Sequence, residues 1–310
     1  MEASVDQSSN LDILGAFSAL GLCIMFGSNA IAVKITFTGL GIYFVAGLRF
    51  LVASFCLIIW ARMTGQQLLV RKGKLLPIVI ISFAFAVQLL LIYSGLNKTT
   101  VARSALITNL QPFFVLFLAH FFIPGDRINL KKTLGIILAF TGMIFVFLDH
   151  SVLSRDLRTG DLLTLAGAFG WACNAVYTKR IIKEYKPIQI AVYPMIAAIP
   201  IAFLTSLYLD DEMVRFVDGC IVLAFFYQCF VAAFGYVVWN SLLARYGAVT
   251  LHSFIFVMPI SGVFLSNLIL DEHITARLLT GLVFVVMGLL VTHLKGKKLI
   301  RPIFNMSRNV

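Results

Sequence analysis

Asn29 and Asn174 are side-chain amides set in apolar sequence, and each is followed five residues later by a lysine. The stretches are Asn29-Ala30-Ile31-Ala32-Val33-Lys34 and Asn174-Ala175-Val176-Tyr177-Thr178-Lys179, with 145 residues between equivalent positions. An amide both donates and accepts hydrogen bonds, so it suits a neutral or zwitterionic solute. It serves equally as a bridge between packed helices. Ala166, Gly170 and Asn174 share one helical face, a small-residue face that favours close packing. Arg49 is the one base well inside an apolar stretch. Its guanidinium can take a carboxylate through two N–H groups, or it can clamp carbonyls at a helix C-terminus.

Other groups fall in similar settings. Asn109 and Gln111 precede Pro112, whose ring removes a backbone donor and loosens the helical ladder near residue 108. Pro259 offers a second break, with His252 and Ser253 nearby. Tyr93, Tyr227, Tyr236 and Trp239 bring flat rings close to Gln88 and Asn240. Rings beside amides can hold an apolar or planar side chain, and they also serve as core packing or interfacial belts. Histidine as a residue type can change charge near neutral pH, which makes His120 and His252 candidate proton carriers. The candidate substrate-binding set is therefore Asn29, Arg49, Gln88, Tyr93, Asn109, Gln111, Asn174, Tyr236, Trp239, Asn240, His252 and Ser253. Pro112 and Pro259 are candidate hinges.

Composition says what must carry these groups. Hydrophobic residues make up 60% of the 310 and charged residues 13%, with 28 phenylalanines. Mean hydropathy is +0.95. A water-soluble domain carries about twice that share of charge, so an integral membrane protein is expected, with the lipid bilayer as its first partner. Apolar runs of about 20 residues cross a bilayer as helices. Ten are expected, over 13–33, 40–60, 75–96, 103–123, 132–148, 161–178, 187–208, 219–243, 249–270 and 276–293. The first ten residues hold acids and no base, unlike a signal peptide, so the first run is expected to stay as a span.

Loop charge sets the direction. With a cytoplasmic N-terminus, seventeen of the 25 Lys and Arg residues fall inside. Seven fall outside: Lys34, Lys98, Arg103, Arg155, Arg158, Arg215 and Arg277. Both termini are expected in the cytoplasm of a multi-pass cell-membrane protein. The net charge of +11 then reflects topology rather than nucleic-acid binding.

The repeat extends well beyond the opening motif. Ser94-Gly95-Leu96 matches Ser241-Leu242-Leu243, and Pro112 matches Pro259, both 147 residues on. Gly135 and Gly142 match Gly281 and Gly288, 146 residues on. A near-constant offset marks an internal duplication. Each copy holds five spans, an odd number, so the second enters the membrane inverted. Two inverted units around one central site are a carrier architecture. The expected organisation is a cytoplasmic tail over 1–12, one five-helix repeat over 13–148, an inverted repeat over 149–294 and a basic tail over 295–310.

Phe26-Gly27-Ser28-Asn29, Leu48-Arg49-Phe50, Asn109-Leu110-Gln111-Pro112, Gly125-Asp126-Arg127, Gly160-Asp161-Leu162 and Trp171 complete the picture. On these motifs the chain resembles the EamA branch of the drug/metabolite transporter superfamily over about residues 12–295. The resemblance implies ten helices around a cavity lined by spans 1, 3, 4, 6, 8 and 9, and the export or exchange of small metabolites such as amino acids.

The expected function is secondary transport by alternating access of amino acids or similar neutral or zwitterionic solutes. A channel-like facilitator is the alternative, and an integral membrane enzyme a more distant one. No HExxH, GxSxG or nucleotide-binding loop is present, and the five cysteines form no CxxC. No catalytic residue, metal or cofactor is expected. The expected oligomeric state is a monomer or weak dimer.

Overall fold

The computed structural model describes residues 12–70, 73–123, 128–148, 155–235, 238–239, 242, 245–246 and 254–293. Among them the architecture is all-helical, and the only β feature is an isolated bridge between Leu40 and Val214. The helices are α1 (Ile13–Thr36), α2 (Ile42–Met63), α3 (Leu75–Lys98), α4 (Val101–Thr108), α5 (Gln111–Phe122), α6 (Leu130–Phe147), α7 (Arg155–Ile181), α8 (Pro187–Leu209), α9 (Gly219–Phe230), α10 (Val257–Leu270) and α11 (Ala276–His293). Six stretches are long and apolar enough to cross a membrane: α1, α2, α3, α4 with α5, α6 and α8. Large apolar side chains such as Phe17, Phe55, Phe83, Phe121, Leu207, Leu223 and Leu268 stay exposed on the outer faces, as a lipid-facing surface requires.

Four elements differ from expectation, one of them α10, which begins at Val257 after a turn over 254–256 although its expected span starts at 249. The span expected over 103–123 is two helices, because the chain turns at Asn109 and Leu110 and Pro112 falls in the first turn of α5. α7 begins at Arg155 rather than 161, so Arg155, Asp156 and Arg158 are helical. α9 passes after Phe230 into a π-helical turn over Val231–Gly235, a distortion often found at working sites.

Local chemistry starts four of the helices. Asp12, Thr100, Asn129 and Asp218 each accept a backbone N–H from the first turn of the helix that follows. α2 starts at Gly41 without a side-chain cap of its own. Asp210, beyond the end of α8, supplies it by accepting from Ile42 N at 2.9 Å, Tyr43 N at 3.1 Å and Phe44 N at 3.0 Å. Glu272, beyond α10, accepts from Val101 N at 2.7 Å and Ala102 N at 2.9 Å at the head of α4. Carboxylates from the second half of the chain thus satisfy orphan donors in the first half.

Packing follows the small residues. α6 lies on α11, α3 on α7 and α8, α2 on α8, and α1 on α10. A Cβ on Gly135 would stand 2.9 Å from Gly288 O, and one on Gly142 would stand 2.7 Å from Gly281 O. The two helices therefore run antiparallel with their backbones in contact. The repeat equivalence of 135 with 281 and 142 with 288 exchanges these two contacts, as a local two-fold axis does. A Cβ on Gly27 would meet Ser261 Oγ at 2.0 Å and Met258 O at 2.6 Å, where α1 crosses α10. On α7 the close-packing face holds Gly160 and Gly167, both buried, whereas Ala166 is exposed. The small-residue face is therefore rotated from the expected Ala166–Gly170–Asn174 stripe.

Candidate functional site

Arg49 stands in the second turn of α2. Its Nη1 donates to Tyr93 Oη of α3 at 3.1 Å, and its guanidinium lies over the Phe50 ring, 5.6 Å from the centroid. Tyr93 is buried and its ring packs on Phe37 with centroids 5.7 Å apart. Arg49 Nε is buried without a protein partner among the described residues. Close by in sequence, Tyr43 Oη and Ser94 Oγ share a hydrogen bond of 2.7 Å. From α9, fully buried Gln228 donates through Nε2 to Thr36 Oγ1 at 3.3 Å, and its Oε1 has no protein partner among the described residues. An apolar cluster including Ile31, Val33, Phe37, Val45 and Tyr93 surrounds this polar seam between α1, α2, α3 and α9.

The two repeat-related asparagines have unequal surroundings. Asn174 donates to Ile81 O of α3 at 3.3 Å and accepts from Thr178 Oγ1 at 3.4 Å, so it bridges α7 to α3. Asn29 Oδ1 is buried without a protein partner among the described residues. Gln88 is 3% exposed and its Oε1 is likewise unpartnered. Gln88 lies against Gly170 of α7, where a Cβ would stand 3.3 Å from its own Cβ.

Asn109 turns inward on its own helix, donating to Ala105 O at 2.7 Å. Gln111 and Pro112 are half-buried at the start of α5, and Pro259 is buried in the first turn of α10. Trp239 meets Phe26 edge to face with centroids 6.1 Å apart. Tyr236, Asn240, His252 and Ser253 lie outside the described residues. His120 is exposed and accepts from Ile128 N at 3.2 Å.

The largest departure from expectation is at one end of the bundle. Arg103, expected in a loop, is 5% exposed within α4. It donates through Nε at 3.0 Å and also through Nη2 to Asp161 Oδ2. Asp161 is fully buried and also accepts from Thr99 Oγ1 at 2.6 Å. Lys34 reaches the C-terminus of α3, donating to Leu96 O at 2.5 Å, Asn97 O at 3.0 Å and Thr99 O at 2.8 Å. Lys34 is thus a carbonyl clamp, a role considered above for Arg49. The signal available in the sequence was an acid at 161 within one turn of an apolar span, which needs a cation when buried.

The opposite end is looser. Asp12 accepts from Tyr246 Oη at 2.7 Å, and Arg245 approaches it at 3.4 Å, with side-chain exposures of 62% for Arg245 and 47% for Asp12. The Tyr246 hydroxyl, the Gly15 N–H and the Arg245 charge hold the Asp12 carboxyl below the usual carboxylate range. The same bond to Asp12 pushes the Tyr246 phenol up.

Two apolar cavities flank α9. One, of about 450 Å³, lies between α1, α9 and α10, and the 2.5 Å contact of Ser28 Oγ with Tyr227 Oη is its polar point. The other, of about 530 Å³, lies between α2 and α9 and includes Cys56, Trp60, Cys229 and Phe230. Cys56 and Cys220 are exposed on these walls.

The model of the EamA-like transporter family matches residues 13–148 and again 158–294. A probable amino-acid metabolite efflux pump of Escherichia coli (strain K12) is 29% identical over 283 residues, covering 88% of this chain and 92% of that one. The pump of the same description from Salmonella typhimurium (strain LT2) is 29% identical, covering 89% and 93%. The uncharacterized transporter YetK of Bacillus subtilis (strain 168) is 26% identical, covering 92% and 88%. A solved crystal structure superposes with a TM-score of 0.65 at 16% identity, covering 90% of this chain and 95% of that one, a likeness of fold alone. With the family model matched twice along it and apolar helices throughout, the chain belongs to the EamA-like transporter family and is a multi-pass membrane transporter, not an enzyme.

Proposed function

We propose that this protein is a secondary carrier that exports or exchanges amino acids or similar neutral and zwitterionic metabolites by alternating access. One observation carries the reading. Among the described residues, the buried side-chain atoms left without protein partners are amide acceptors at Asn29 Oδ1, Gln88 Oε1 and Gln228 Oε1, a guanidinium donor at Arg49 Nε, and the hydroxyls of Ser82 and Ser206. Acceptors suit an ammonium group and the guanidinium suits a carboxylate. In a membrane such groups are costly unless a solute or water meets them. The efflux pumps named above support amino acids as the class.

In this reading the repeats are inverted, ten helices cross the cell membrane, and both termini are cytoplasmic. The antiparallel glycine crossing of α6 on α11 and the bias of basic residues support it. The end holding Arg103 and Asp161 then faces outward. The transporter works as a monomer or weak dimer with a small-molecule substrate and no nucleic-acid partner.

Counterflow in proteoliposomes tests the mechanism. Saturable uptake of labelled amino acids, accelerated by unlabelled substrate inside, is expected; non-saturating flux would instead make the protein a channel-like facilitator. Arg49→Gln and Gln88→Ala are each expected to lower uptake about tenfold or more, the order of one lost charge-assisted or buried hydrogen bond. Asn174→Ala, which removes a helix bridge, is expected to lower stability more than uptake.

A further inference from the structure

The two ends of the bundle are closed by the same device. A glycine near the start of a helix lets a residue from a distant part of the chain come close, and an acid near that glycine binds it. At one end the glycine is Gly160 of α7, where a Cβ would stand 2.7 Å from Thr99 N and from Lys98 C. At the other it is Gly15 of α1, where a Cβ would stand 2.5 Å from the Tyr246 ring. Gly15 and Gly160 are 145 residues apart and Thr99 and Tyr246 are 147 apart, so both partners follow the repeat. Asp161 then binds Thr99 and Arg103, and Asp12 binds Tyr246 and Arg245. The acids are not at equivalent positions, since Asp161 follows its glycine by one residue and Asp12 precedes its glycine by three. The chemistry is repeated where the position is not.

We propose that Asp161–Thr99–Arg103 and Asp12–Tyr246–Arg245 are paired latches, one for each opening of the carrier, and that they are alternately buried and exposed during transport. The reasoning rests on the alternating-access reading above. The first latch is shut: its side chains are 0% and 7% exposed, and water cannot screen the pair. The second is looser: its ionic arm is at 3.4 Å and Asp12 and Arg245 are about half exposed, while Tyr246 stays buried against Gly15. Two equally tight latches would hold both openings shut and stall the cycle. One fully buried latch and one whose ion pair lies in water is the arrangement of a carrier resting with one side closed. These are positioning residues: they set which side the site faces and touch no substrate.

Hydrogen exchange read by mass spectrometry on the full-length protein in detergent tests this without knowledge of the substrate. Asp161→Asn is expected to speed exchange of the amides around 99–104 and 158–164 about tenfold or more, because it strands the Arg103 charge. It is also expected to slow exchange over 12–18 at the far end, since opening one side tightens the other. Asp12→Asn is expected to give the reverse pattern at smaller amplitude. A loss of protection confined to the mutated end in both variants would overturn the proposal and leave two independent structural contacts. Thr99→Ala removes one bond and keeps the ion pair, so it is expected to shift exchange in the direction of Asp161→Asn; with Asp161→Asn unfolded, absence of the far-end response in Thr99→Ala overturns the proposal. Counterflow of labelled amino acids by the wild-type protein separates the two readings. Transport without reciprocity refutes the latches alone, and reciprocity without transport refutes the substrate reading alone.

Discussion

The Arg103–Asp161 end and the Asp12–Tyr246–Arg245 end perform the same closure in different dielectric surroundings. At the first, a fully buried carboxylate meets a guanidinium through two donor nitrogens and a hydroxyl through a third bond. At the second, a half-exposed carboxylate accepts one phenol and one more distant arginine. Burial makes the first pair costly to break, because each partner then strands the other. Exposure makes the Asp12–Arg245 arm of the second easy to exchange for water. A protein with two repeats can therefore keep one fold and still give its two ends different strengths.

The largest effect expected from this contrast is on stability. Asp161→Asn should destabilise by about 3–5 kcal/mol, the range for breaking a buried ion pair, whereas Asp12→Asn should barely move Tm in detergent. Equal shifts for both would end the distinction between the two ends. Next come the glycines beneath the latches. Gly160→Val pushes against backbone at Lys98 and Thr99 and should cost about 2–3 kcal/mol or prevent folding. Gly15→Val meets the outer atoms of the Tyr246 ring, a side chain rather than backbone, and should cost less, about 1–2 kcal/mol. Thermal unfolding of the pair checks the order. Glu272→Gln keeps the shape of the α4 cap and removes its charge, with an expected loss of about 1 kcal/mol.

The smallest effect is on pH dependence, and it belongs to the exposed end. The folded pKa of Asp12 is depressed, so its contribution is complete above the unfolded value of about 4 and is lost as pH falls through the folded value. That of Tyr246 is raised, so its contribution is complete below about pH 10 and is lost as pH rises through the folded value. Amide protection over 12–18 should therefore be flat between these limits and decline outside them. Tyr246→Phe removes the shared bond and should flatten both arms. A protection profile unchanged in Tyr246→Phe would remove that bond from the closure.

Much of the fold was legible in the residues. Uninterrupted apolar runs gave α1, α2, α3, α6, α8 and α11 to within a few residues, because a lipid-spanning helix leaves little choice of period or length. The break at Asn109–Leu110 was foreshadowed by Pro112. The start of α7 was not, since Arg155, Asp156 and Arg158 look like loop residues until the helix is seen to extend past the apolar run. The polar site was legible as a set of unusual residues and illegible as an arrangement. Nothing in the letters distinguishes Asn174, whose amide donates to Ile81 O, from Asn29, whose oxygen has no protein partner among the described residues.

By itself the sequence determined a membrane protein of helices written twice, because composition, run length and a constant offset are properties of the chain alone. Tertiary structure decided which polar groups are already satisfied. A hydrogen bond between residues far apart in sequence depends on crossing geometry, and here glycines set that geometry by letting α3 lie on α7 and α6 on α11. Arg103 and Asp161 illustrate the reason. Each has the appearance of a solvated charge near a helix end, and only the close approach of α3, α4 and α7 removes the water and makes them a pair.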